Sequence, residues 1–112
     1  MHNIHSPRPV TDETIEDEIV AKGLTAPRVT PTDIEASILT EQYHVFAGTT
    51  VTVCCLTLQN GFDVVGESAC ASPENFDADI GRKIARANAV QKIWPLAGYL
   101  LKEQLARERT TT

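Results

Sequence analysis

Asn60-Gly61 stands between two β-branched, apolar runs, TTVTVCCLTL from Thr49 to Leu58 and FDVVGESA from Phe62 to Ala69. No other feature constrains the chain as much. Asn-Gly between two such runs predicts a β-hairpin, because a type I′ turn needs positive φ at both central residues. With a two-residue loop, Leu58 opposes Asp63, Leu56 opposes Val65 and Cys54 opposes Glu67. On the other face Thr57 meets Val64, Cys55 meets Gly66, Val53 meets Ser68 and Val51 meets Cys70. Neither face is then cleanly polar, and a two-stranded ribbon is marginal alone. One face is expected to pack on helices and the other to be partly covered by a second subunit.

Helix signals flank the hairpin. Thr11 is placed to N-cap a short acidic helix over 12–22, with Asp12 and Glu13 near its positive end and Gly23 as a C′ stop. Leu24 to Arg28 reads as an extended linker, since Pro27 disfavours helix at Ala26. Thr30-Pro31-Thr32-Asp33 starts a second helix with a capping-box pattern, expected to run toward Gly48 with Ile34, Ile38 and Leu39 buried. Ser72-Pro73-Glu74 reads as another start. Ile80, Ile84, Ala87, Gln91 and Trp94 recur at helical spacing, and Pro95 is expected to open a further helix through about Arg107. The fold class expected is α+β: an antiparallel hairpin or small sheet packed with N-terminal and C-terminal helices, in an oligomer. Residues 1–10 are expected to be a disordered tail, 11–27 an acidic helix and linker, 28–108 a single domain, and 109–112 a frayed tail.

The chain has 112 residues, enough for one core, and a net charge of −5. The charge is uneven: residues 1–44 hold 8 acids against 3 bases, and residues 45–112 hold 7 of each. This argues against a DNA binder, which needs a net basic face. No apolar run approaches the ~20 residues of a membrane span, and MHNIHSPRPV carries no signal-peptide h-region. The expected compartment is cytoplasm, with Cys54, Cys55 and Cys70 reduced.

Arg82, Lys83 and Arg86 fall within about 100° on one predicted helix and form the only concentrated positive surface. Two readings stand. The ridge is a solvated face on which Asp79 pairs with Lys83 or Arg86, or it is a phosphate grip, since guanidinium forks match phosphate oxygens. Phe76, just upstream, offers a face for stacking a base, and Asn75 offers both donor and acceptor. Cys54 and Cys55 are adjacent in a strand and point to opposite faces, and no C-x-x-C occurs. Beyond the N-terminal His2 and His5, His44 stands alone. No metal site and no cofactor is expected, and the thiols read as small core side chains. Nothing forms a triad, a P-loop or a carboxylate pair, which favours a binding module over an enzyme.

The stretches KGLTAPRVTPTDIEASI, TVCCLTLQNGF, GESACASPENFD and IGRKIARANAVQKIWPLAGYLL resemble the small phage family named after gene products 49 and 66 of two enterobacterial phages, over about residues 10–102. The chain is also similar to the Thoeris anti-defence 1 proteins. That resemblance implies a homo-oligomeric sponge that binds a cyclic ADP-ribose isomer or a cyclic oligonucleotide without degrading it. It fixes no ligand-contacting residue here. The ligand-binding candidates Asn75, Phe76, Arg82, Lys83 and Arg86 rest on the residue chemistry alone.

Three functions are weighed from these readings. The first is sequestration of a signalling nucleotide. The second is a phage accessory protein that binds a host protein, through the acidic helix 12–22. The third, ranked last, is an enzyme using a cysteine or Glu67.

Overall fold

A computed structural model describes residues 10–110. Val10 is exposed; the rest of the expected N-terminal tail, and Thr111 and Thr112, lie outside the described residues. The elements run α1 (Asp12–Ala21), α2 (Pro31–Ala36), β1 (Ile38–Val45), β2 (Thr52–Leu58), β3 (Asp63–Ser68), a 3-10 turn (Pro73–Asn75) and α3 (Ala78–Thr110). The three strands form one antiparallel sheet in the order β1-β2-β3. α3 lies across one face of it. The fold is α+β as expected.

The local signals act where the sequence puts them. Thr11 and Thr30 each accept a hydrogen bond from the backbone N–H three residues on, closing capping boxes at α1 and α2. Gly23, at φ +71°, ends α1 while its N–H bonds the Val20 carbonyl and that of Leu24 bonds Ile19.

The hairpin forms in a different register from the one expected. The Gly61 N–H bonds the Leu58 carbonyl and the Leu58 N–H bonds the Phe62 carbonyl, so three residues make the loop. Gly61 takes φ +88°, and no non-glycine residue described has positive φ. Asn60 therefore cannot complete a type I′ turn, and its side chain instead accepts from the Phe62 N–H at 3.0 Å. Pairing shifts by one residue: Leu56 opposes Val64, Cys54 opposes Gly66 and Thr57 opposes Asp63. That slip gathers Cys54, Leu56, Leu58, Val64 and Gly66 on one buried face. The inner face of the hairpin is then apolar apart from Thr52 and Ser68, while the outer face still mixes Val53, Cys55 and Val65 with Asp63 and Glu67.

Two further expectations are corrected. The helix begun at Thr30 ends at Ala36, where Ser37 Oγ donates to the Ile34 carbonyl, and the chain continues as β1. β2 would otherwise have an unpaired edge, and pairing with residues 38–45 satisfies it. Pro95 does not begin a new helix but lies inside α3. The missing N–H removes one bond from a helix of about 50 Å, and the flanking turns carry on. α3 also runs through Arg109 to Thr110, into the segment expected to fray.

Helix and sheet meet closely. A Cβ on Gly66 would come within 2.2 Å of the Ala89 nitrogen and 2.4 Å of the Ala85 carbonyl oxygen. Ala85 and Ala89 are fully buried, and Ile93 and Val90 extend the contact. Asn88 Nδ2 donates to the Glu67 carbonyl at 2.8 Å and Lys92 Nζ to that of Val65, so α3 also covers the outer edge of β3. Ile34, from α2, closes the core. The radius of gyration is 18.1 Å, against about 13 Å for a compact domain of this length. The excess fits an open two-layer shape in which the C-terminal half of α3 contributes no fully buried residue.

Candidate functional site

α3 begins one residue after Asp77, whose side chain accepts from the Ile80 N–H at 2.9 Å. The cap is therefore Asp77 rather than Ser72, whose side chain makes no cap bond to the 3-10 turn that follows it. Asn75 is exposed at the end of that turn, and Phe76 is half-buried beside it. One turn into α3, Arg82 donates to Asp79 at 3.1 Å and Lys83 lies 3.8 Å from the same carboxylate. Arg86 turns away from both. Its Nη1 and Nη2 donate to the two oxygens of Glu35 at 3.1 and 2.9 Å, and its Nε donates to Glu41 at 2.6 Å.

The five candidates are thus not gathered on one ligand surface within this chain. Arg82 and Lys83 share one acid. Arg86 spans to α2 and β1, where two carboxylates accept from its Nε, Nη1 and Nη2. Those bonds, Glu35 foremost, hold the Arg86 pKa above its ordinary value. In return, the guanidinium holds the Glu35 carboxyl below the usual carboxylate range. Partners at this geometry stand where phosphate oxygens would, because carboxylate and phosphate present the same paired acceptors to an arginine fork.

The sequence reading missed Glu35 and Glu41 as partners of Arg86. Glu41 pairs with Leu56 across β1 and β2, so it lies on the face that carries the core. An acid on that face needs a cation from α3. The signal was present, and reading residues 38–45 as helix concealed it.

Arg86 borders a cleft of about 530 Å³ between the start of α1 and the middle of α3. Glu35, Val90 and Gln91 line it from the body, and Asp12, Glu13 and Ile15 from α1. A smaller hollow of about 240 Å³, which shares Asp12, Ile15 and Gln91 with that cleft, lies against Ile19, Val29 and Trp94. At the hairpin end, Phe62, Leu96, Tyr99 and Leu100 surround an apolar groove of about 230 Å³ that ends on Leu58. Phe62 is 55% exposed and Tyr99 71%.

The remaining chemistry is quiet. Cys54 is buried, and burial pushes its thiol up, away from thiolate character. Tyr43, paired with it across the strands, is pushed up to about 12, mainly by burial. All three cysteines are free thiols. Among the described residues, no group of three or more His, Cys, Asp or Glu side chains is placed to hold a metal, and no helix is long and apolar enough to cross a membrane.

Residues 29–105 match the model of a family described as the phage protein (N4 Gp49/phage Sf6 gene 66) family. The match takes in α2, the whole sheet and most of α3, and it leaves out α1. No curated protein and no solved structure matches the chain.

Proposed function

The chain belongs to this phage protein family, and from that premise we propose that it is a non-catalytic phage protein that binds and sequesters a nucleotide immune signal, a cyclic ADP-ribose isomer or a cyclic oligonucleotide, in the host cytoplasm. The observation that carries the reading is Arg86, held in a bidentate grip on Glu35 at the wall of the cleft. A phosphate exchanges for that carboxylate without a change of fork geometry. Arg82 and Lys83 add cations one turn away once Asp79 is displaced. Phe76, Asn75, Arg82 and Lys83 do not line the cleft of their own chain; in this reading a neighbouring protomer of the homo-oligomer brings a Phe76 face and an Asn75 amide edge to the base.

The protein works as a homo-oligomer. Leu96, Tyr99, Leu100 and Phe62 form an apolar patch at the end where α3 outruns the buried core. Apolar patches of this kind mark interfaces. Sedimentation at tens of micromolar, a range in which ordinary interfaces are populated, should give a multiple of 12.2 kDa. A 12.2 kDa species would refute the oligomer.

Native mass spectrometry with a panel of cyclic ADP-ribose isomers and cyclic oligonucleotides tests the function. One ligand should be retained and released chemically intact. Arg86→Glu should abolish retention, and Phe76→Ala should weaken it about ten- to a hundredfold. A converted product would make the protein an enzyme. If nothing in the panel is retained, the second reading gains, in which the exposed acids of α1 dock a basic host protein. That reading is favoured by the position of α1 outside the family match.

A further inference from the structure

α1 is held to the rest of the fold unlike any other long element. None of its ten residues is buried. Ile15 is 43% exposed and Ile19 is half-buried. Carboxylates supply its anchors. Asp12 accepts from Trp94 Nε1 at 3.1 Å and from Gln91 Nε2 at 3.3 Å, and Glu16 forms a fork-to-fork pair with Arg28. The latter bond ties the helix back to the end of its own linker. That linker contains Gly23, at φ +71°, and Pro27. The family match begins at residue 29, just beyond it.

These observations meet at the Arg86 cleft. α1 forms one wall and brings Asp12 and Glu13 into it, opposite Arg86, while Glu35 already occupies the guanidinium. With α1 seated, an incoming anion meets three carboxylates lining the same concavity. With α1 lifted, two of them leave, and the buried Val90 and half-buried Trp94 open further to solvent. Lifting breaks the part-buried Trp94–Asp12 bond and the exposed Gln91–Asp12 pair and uncovers no fully buried residue of the helix, which places α1 among the segments that open locally at less cost than the core. Once detached, a ten-residue helix is too short to persist alone, so lifting and melting go together.

We propose that α1 is a hinged, autoinhibitory cover, swinging on residues 22–28, that competes through Asp12 and Glu13 with anions for the Arg86 cleft. The proposal rests on the reading of Arg86 as an anion site given above.

The test uses the full chain with inorganic pyrophosphate as the probe. Binding is followed by calorimetry, α1 opening by amide hydrogen exchange, and the anchor by the emission of Trp94, the only tryptophan. Amides of α1 should exchange at least tenfold faster than those around Ala85 and Ala89. Pyrophosphate should red-shift Trp94 in the parent chain. Asp12→Ala combined with Glu16→Ala should red-shift it without ligand and tighten binding about five- to tenfold, within the usual range of coupling between two sites. Trp94→Phe removes the anchor without changing charge and should tighten binding in the same direction. Parental affinity in Trp94→Phe would mean that only charge had changed, and would overturn the cover. So would α1 amides as protected as those of α3. If the parent chain and every variant fail to bind pyrophosphate and the nucleotide panel alike, the Arg86 reading itself is wrong and the competition goes with it. If the parent binds and the variants bind no tighter, the site stands and the cover alone is refuted.

Discussion

α3 touches the sheet and α1 touches α3, and the two contacts are built from opposite materials. Between α3 and the sheet the surfaces are apolar and small: Ala85 and Ala89 leave no room for a side chain at Gly66. Between α1 and α3 the defined anchor is a carboxylate on an indole N–H and an amide, with half-exposed isoleucines beside it. Close apolar packing gains from every displaced water and is lost as a unit. A polar contact at the surface trades protein bonds for water bonds and nets little. The molecule therefore has one part whose packing specifies the fold and one that is held to it mainly by polar bonds.

The sharpest way to break that contrast is at Gly66. Gly66→Ala sets a methyl group against helix backbone, which cannot move aside as a flexible side chain can. Separating sheet from helix should cost at least about 3 kcal/mol, the upper end for overpacking. Urea denaturation measures it, and a loss under about 1 kcal/mol would show that the interface is loose. Ile93→Ala comes next. The side chain is 1% exposed, and the cavity should cost about 2–5 kcal/mol in the same assay.

How far the fold could be read from sequence follows the same division between local and long-range causes. Thr11, Thr30 and Gly23 act within four residues of themselves, and their caps are legible. The third strand is not: Thr40, Glu41, Gln42 and His44 give β1 a polar look, and it is a strand because β2 offers an edge. The hairpin is legible and its register is not, since one extra loop residue turns every side chain over relative to its partner. Pro95 reads as a boundary because its local cost is plain, whereas the support of the flanking turns is not visible in a motif. At the candidate site, Arg82, Lys83 and Arg86 share one helix and are legible as a ridge. Glu35 and Glu41 lie 51 and 45 positions away from Arg86, and only the fold brings them in.

Arg86 joins the two kinds of contact, being a polar tie between body elements. Arg86→Gln leaves Glu35 and Glu41 side by side without their cation, and should cost about 1–2 kcal/mol, more than an exposed pair and less than a core residue. The pH dependence has a definite sign. The Glu35 pKa is depressed in the folded state, so its stabilisation is present above the unfolded carboxylate value and is lost as pH falls through the folded one. Acid titration of urea stability should therefore show a decline in the parent chain that is shallower in Arg86→Gln. Identical slopes would mean that the pair holds nothing.

The smallest effect belongs to α1, and its smallness is the point. Asp12→Asn keeps the size of the side chain and one carbonyl acceptor for Trp94 Nε1, but removes the charge and one acceptor oxygen shared with Gln91. The body of the protein loses no apolar contact. Global stability should change by less than about 1 kcal/mol, the range of an exposed polar pair. Amide exchange in residues 12–21 should nevertheless accelerate several-fold while exchange around Ala85 and Ala89 stays fixed, because a local opening no longer opposed by the charged anchor does not require the core to open. Hydrogen exchange with mass analysis resolves the two segments in one experiment. A uniform acceleration across α1 and α3 would show that the helices open together, and the contrast between a packed body and a lightly held helix would fail.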